Sequence, residues 1–307
     1  ALFGLVALGF LVGRNPEAMA ANFSNFWYNA SLAAEHAVRT GMEGPLVLVG
    51  TITILAVAQV GSLFAAEAWN NVTFTAGEVR DPKRNVPLSL ALGTGIVILL
   101  YVAANMVYLM VLPLAGDAEA SSVIGRGIQH ATEDRVGTAV MQVIFGDVGQ
   151  YVMAGAILIS TFGAANGILL SGARVYYAMA RDGLFFKTVG HLHPKYNTPS
   201  TSLIVQGVWT CLLCISGSYG QLLDYIIFSV LMFYILTMAS IFILRKKRPD
   251  APRPYRAFGY PVLPALYIVM ALYIDYVLLL YKPQYTWPGL ILVLVGIPVY
   301  WFWTKRA

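Results

Sequence analysis

PLSLALGTGIVILLYVAANMVYLMVLPLAG, Pro87 to Gly116, runs for 30 residues without a charged side chain. At 1.5 Å per residue a helix of that length reaches about 45 Å, more than the roughly 30 Å of a bilayer's hydrocarbon core. The run does not alternate polar and apolar residues, as the strands of a membrane barrel do. It predicts a membrane-spanning helix. Similar runs lie on both sides of it. Pro45–Ala66, Val148–Ala173, Tyr196–Leu223, Tyr225–Leu244 and Pro283–Thr304 carry no charge, and Ala257–Tyr281 carries only Asp275.

Composition agrees with this reading. Of 307 residues, 58% are apolar and only 11% are charged, and the mean hydropathy is +0.67. Soluble domains carry roughly a quarter charged residues. Soluble enzymes, disordered chains and nucleic-acid binders are therefore excluded, and the partners expected are a lipid bilayer and a small molecule, with no nucleic acid. The fold class is an all-α polytopic membrane protein, read as one transmembrane domain over 1–307. Its expected spans are 87–112, 151–181, 199–216, 221–245, 259–281 and 285–304. Residues 1–13 are too short to span and read as the end of a truncated helix, so the chain is expected to be a fragment.

Charge placement orients the spans. The junctions 80–84, 181–198, 245–256 and 305–306 hold fourteen of the twenty basic residues, six of them in Arg245, Lys246, Lys247, Arg248, Arg253 and Arg256. These junctions alternate with basic-poor ones, as the positive-inside rule predicts. Arg80–Arg84 and the chain end are expected in the cytoplasm, which suits a plasma (inner) membrane protein. The loops 14–44 and 113–150 are expected outside. Residues 117–147 carry five acids and read as one or two short amphipathic helices. Asn22-Phe-Ser24 and Asn29-Ala-Ser31 match a glycosylation acceptor, meaningful only in a eukaryotic source. Cys211 and Cys214 sit in an apolar run and read as buried thiols, not a disulfide framework.

No metal or nucleophile pattern appears, so neither metal, cofactor nor enzymatic activity is expected. The informative chemistry lies in 45–80. The apolar run starting at Pro45 abruptly gains Glu67, Asn70, Asn71, Thr73 and Thr75. Two readings stand. One is a broken span, unwound near Ala65–Ala68, whose freed backbone groups and helix ends would bind a small zwitterion. The other is a cytoplasmic helix end with its polar cap. Asp224 reads as a helix cap at the outer interface. Asp275 reads as lying near that interface, with a proton-relay role as the alternative. Glu78 is expected to anchor the cytoplasmic end, and Gly163-Ala-Ala-Asn-Gly167 has a spacing that helix packing alone explains.

Phe64-Ala-Ala-Glu-Ala-Trp-Asn70, followed by Ala76-Gly-Glu-Val-Arg-Asp-Pro-Lys-Arg-Asn-Val-Pro87, resembles the sixth-helix signature of the L-type amino acid transporters of the amino acid–polyamine–organocation (APC) superfamily. Phe162–Gly167, Met179–Gly183 and His193–Pro199 resemble that family's eighth helix and following loop, and Arg245–Pro249 and Pro252–Arg256 its loop after helix ten. The resemblance covers nearly the whole chain. It implies an inverted-repeat (5+5) fold of the LeuT type with the first repeat largely missing: 1–13 would end helix five and the rest would supply helices six to twelve. It implies a secondary amino acid transporter, an exchanger working by alternating access. A proton-coupled amino acid or polyamine symporter and a non-transporting amino acid sensor are the alternatives. By the same resemblance Phe64 is an aromatic gate, Ala65, Ala66 and Glu67 form the unwound segment, and Trp69 and Asn70 belong to the half-helix after it. Ser160, Asn166 and Phe233 would line the cavity. Glu67 stands where other members carry glycine; it is expected to pair with a substrate cation or to bind a coupling proton. A single-span heavy-chain-type partner is implied only for a eukaryotic source, and Cys211 and Cys214 are not where the family attaches it.

Overall fold

The computed structural model describes residues 2–24, 56, 59, 61–65, 67–216, 219–253, 256–281 and 283–304. Among the described residues every regular element is helical. In chain order these are α1 (Leu2–Leu11), α2 (Pro16–Phe23), α3 (Asn71–Phe74), α4 (Pro82–Val111), α5 (Val123–Arg126) and α6 (Val136–Phe145), then α7 (Asp147–Arg181), α8 (Ser200–Ser216), α9 (Tyr219–Lys247), α10 (Val262–Tyr281) and α11 (Pro283–Thr304). Five are long and apolar enough to cross a membrane: α4, α7, α9, α10 and α11. The 17 residues of α8 reach about 26 Å, at the short end of the spanning range.

These helices are inside out by the standard of a soluble protein. Leu99, Leu158, Ile215, Val269 and Leu292 are all more than 60% exposed. So large an apolar surface is stable only against hydrocarbon, and the chain is an integral membrane protein. Cys211 and Cys214 follow the same pattern. Both are free and exposed on α8, which corrects their reading as buried thiols. An apolar run marks the inside of a soluble protein, but in a bilayer it also marks the face turned to lipid.

Helix ends depart from the expected spans: α10 starts three residues later, at Val262, while α4 and α9 start earlier. α4 starts at Pro82, not Pro87, and takes Lys83 and Arg84 into its first turn. Pro82 stands where a helix needs no N–H, and Pro87, in the second turn, is tolerated inside. α9 likewise begins at Tyr219 and runs through Lys247, so Asp224 lies within the helix and not at its cap; its side chain is outside the described residues.

The chain divides into two compact units. The first comprises Ala1–Gly41 and Ala91–Gly167. Its core joins Leu5 of α1 to Ala104, Val107, Val111 and Leu112 at the end of α4, and to Ala139, Val140 and Met141 of α6. α1 lies so close to α4 that a Cβ at Gly9 would meet Val107 at 2.1 Å, closer than any side chain allows. Residues 113–150 hold the short helices α5 and α6, of which α6 carries no charged side chain, with Ser122 capping α5 through a bond from the Gly125 N–H.

The 14–44 loop holds a helix the sequence reading did not place. Asn15 caps α2, accepting from the Glu17 and Ala18 N–H groups, with Pro16 next and Glu17 in the first turn. Asn22, on α2, is only 3% exposed. Its Nδ2 donates to the Leu109 and Leu112 carbonyls at 2.7 and 2.8 Å, and its Oδ1 accepts from the Leu114 N–H at 2.7 Å. One amide side chain thus closes the C-terminal end of α4, where carbonyls lack helical partners. This committed amide leaves no room for a glycan, which corrects the acceptor reading of Asn22. Asn29 lies outside the described residues.

The second unit comprises Met42–Leu90 and Ile168–Ala307. α9 is its axis, packed along α10 and α11. Ile227, Phe228 and Leu231 of α9 meet Ala271 and Leu278 of α10, with Leu63 and Phe64 packed against them. α8 is tied to α7 by the buried Ser202 hydroxyl, which donates to the Ala173 carbonyl at 2.6 Å. Asp275 lies about 9 Å along α10 from Tyr281. It is 6% exposed, covered by protein, and among the described residues neither carboxylate oxygen has a hydrogen-bond partner.

Candidate functional site: the interrupted segment at Glu67–Asn70

The chain is helical at 61–65, and Ala66 lies outside the described residues. From Glu67 the α-helix does not continue. A 3-10 turn at Glu67–Asn70 gives way to the single α-turn α3 and then to a second 3-10 turn at Ala76–Glu78. The residue types explain the break. Asn70, Asn71, Thr73 and Thr75 are weak helix formers whose side chains compete for backbone groups. The Thr73 hydroxyl donates to the Asn70 carbonyl at 2.6 Å and the Thr75 hydroxyl to the Val72 carbonyl at 3.1 Å.

What holds the interrupted piece in place is Tyr234 of α9. Its hydroxyl lies 3.2 Å from both the Glu67 carbonyl oxygen and Glu67 Oε1, a donation shared between backbone and side chain. Its ring packs beside Trp69, with centroids 5.7 Å apart at 44°. Glu67 and Trp69 are therefore organised around one phenol. Among the described residues, Asn70 Oδ1 is buried without a donor. A buried acceptor of this kind is costly unless something donates to it, and an ammonium group is a donor only.

The far end of the segment is also anchored. Glu78 receives two parallel bonds from Arg174 of α7, Nε to Oε1 at 2.8 Å and Nη2 to Oε2 at 2.9 Å. Arg174 Nη1 donates to the Leu170 carbonyl as well. The bidentate fork fixes the direction in which the chain leaves the segment toward α4.

The remaining expected site residues are placed as follows. Phe64 packs, half-buried, on the Ile227–Leu231 stretch of α9. Ala65 is exposed at the end of the helical turn. Phe233 is 56% exposed on α9, and its neighbour Tyr234, about 100° round the helix, is the residue that reaches Glu67. Ser160 and Asn166 lie on α7 within the first unit, both exposed. The sequence reading missed Tyr234 and the partner of Glu78. A lone tyrosine in an apolar helix gives no signal of its own. Arg174, isolated near the end of a charge-free span, was the one visible hint.

Among the described residues the chain is all-α, with five helices long and apolar enough to cross a membrane. The comparisons narrow this. Residues 1–302 match the amino acid permease family, and the chain belongs to it. It is similar to the large neutral amino acids transporter small subunit 2 of Mus musculus, 27% identical over 83% of this chain and 46% of the relative. It is 28% identical to the serine/threonine exchanger SteT of Bacillus subtilis, over 81% of this chain and 55% of that protein. It is also 28% identical to the b(0,+)-type amino acid transporter 1 of Homo sapiens, over 82% and 47%. The chain spans about half the length of the curated relatives it matches.

Proposed function

We propose that this chain carries the substrate-binding second repeat of a secondary amino acid transporter, an exchanger that works by alternating access. The observation that carries the reading is the segment itself, where Glu67 is held on Tyr234 and Asn70 keeps a buried acceptor open. In this reading the α-ammonium group donates to Asn70 Oδ1 and to segment carbonyls not used in helical bonds. The Glu67 carboxylate faces a cationic side chain when the substrate has one. Phe64 closes over the substrate from outside. Phe233 is retained as cavity lining. In this reading the protein sits in a cell membrane with the chain end and the 245–256 loop facing the cytoplasm, and the positive-inside pattern supports that orientation. The names of the relatives, transporter and exchanger, support transport. One of them is called a small subunit, and a larger partner belongs to the proposal only in a eukaryotic source.

The test is counterflow. The protein expressed from its complete reading frame, in liposomes preloaded with unlabelled amino acid, is expected to take up labelled amino acid at least about fivefold faster than empty liposomes. No acceleration across neutral and cationic amino acids would sink exchange. One observation favours a second reading, proton-coupled symport: the partnerless buried carboxyl of Asp275. Uptake into empty liposomes driven by a pH gradient would select it.

A further inference from the structure

The six basic residues of 245–256 do more than mark a side of the membrane. Against one acid, Asp250, they hold as much excess charge as the entire chain, whose net charge is +5. Part of this charge is organised into a concavity of about 510 Å³, lined by Arg245, Pro249, Ala251, Pro252, Arg253 and Arg256. Among the described residues, three guanidinium groups line it and no acid does.

Two of the three are pre-positioned. The Arg245 guanidinium lies 3.6 Å over the ring of Tyr260, a stacking that fixes its plane and leaves its edge donors available. Arg253 is tied into the turn: its Nη1 donates to the Pro249 and Ala251 carbonyls and its Nη2 to the Arg248 carbonyl. These bonds shape the wall and keep its full charge there, since carbonyls do not neutralise it. Arg256 completes the set and is exposed. Three arginines held together without an acid repel one another, and an anion relieves this.

The position identifies the anion. Arg245 is in the last turn of the spanning helix α9, and α10 begins at Val262. Between them Phe258 is 83% exposed and Val262 68% exposed, apolar groups suited to the edge of the hydrocarbon. The concavity therefore lies at headgroup depth. We propose that Arg245, Arg253 and Arg256 form a binding site for the phosphate headgroup of an anionic phospholipid, with Phe258 and Val262 against its acyl chains. The proposal does not depend on what the protein transports.

Native mass spectrometry of the detergent-purified protein, expressed from its complete reading frame, tests it with defined lipids. Phosphatidylglycerol is expected to form adducts about tenfold more readily than phosphatidylcholine of the same chains. The pair Arg245→Gln and Arg256→Gln, which spares the Arg253 staple, is expected to remove most of that preference while the melting temperature stays unchanged. Equal adducts of the two lipids on the wild type overturn the site without reference to any variant. Displacement of phosphatidylglycerol by millimolar inorganic phosphate, with phosphate itself retained, assigns the site to a soluble anion and overturns the lipid assignment. A preference that survives both substitutions moves lipid binding elsewhere and overturns it too.

Discussion

Glu67→Gln is expected to lower uptake of a cationic amino acid by about ten- to a hundredfold while leaving a neutral one within about threefold. The amide has the shape of the carboxyl, and its oxygen can still accept from the Tyr234 hydroxyl that now reaches Glu67 Oε1. The charge is what is removed. In a cavity shielded from water an ion pair is worth far more than at a surface, and tenfold to a hundredfold corresponds to about 1.4–2.8 kcal/mol. Tyr234→Phe is the companion variant: it keeps the charge but releases the segment, so both substrates should suffer alike. If Glu67 binds a coupling proton, Glu67→Gln should instead flatten the pH dependence of uptake for every substrate. No change in selectivity or in pH dependence removes Glu67 from the site.

The second large effect is structural. Asn22→Ala is expected to destabilise the protein by about 3 kcal/mol, because two carbonyls and one N–H lose their partner in a nearly water-free place. Asn22→Asp should be at least as harmful, since it sets a carboxylate against the Leu109 and Leu112 carbonyls. Thermal unfolding followed by tryptophan fluorescence checks both. A loss below about 0.5 kcal/mol for Asn22→Ala would mean that the end of α4 does not rely on α2. The same side chain bears on modification: expression in a eukaryotic host should add no glycan at Asn22.

These residues also show where a sequence stops being informative. The spans were legible because a charge-free run of 20 or more residues has one stable home. Their ends were not, because helices such as α4 and α9 continue past the hydrocarbon into Lys and Arg, where hydropathy no longer reports structure. Cys211 and Cys214 misled because apolar neighbours were taken to mean burial, which holds against water and not against lipid. At the candidate site the polar cluster Glu67–Thr75 was visible by its contrast with the apolar run before it. Tyr234 was not, since its role arises from a contact 167 residues away along the chain. Asn22 matched a three-residue acceptor pattern, and only its tertiary bonds to α4 show that the amide is already occupied.

The central claim is that the interrupted segment binds the amino acid. Ala65, exposed at the end of the helical turn beside it, is the place to ask. With Cys211, Cys214 and every cysteine encoded elsewhere in the complete reading frame replaced by serine, Ala65→Cys provides a single thiol whose maleimide labelling rate reports on that site in liposomes. Saturating amino acid is expected to slow labelling by about threefold or more, in the order in which the same amino acids compete for uptake. Labelling at one rate, with and without every amino acid that the protein transports, would contradict the account.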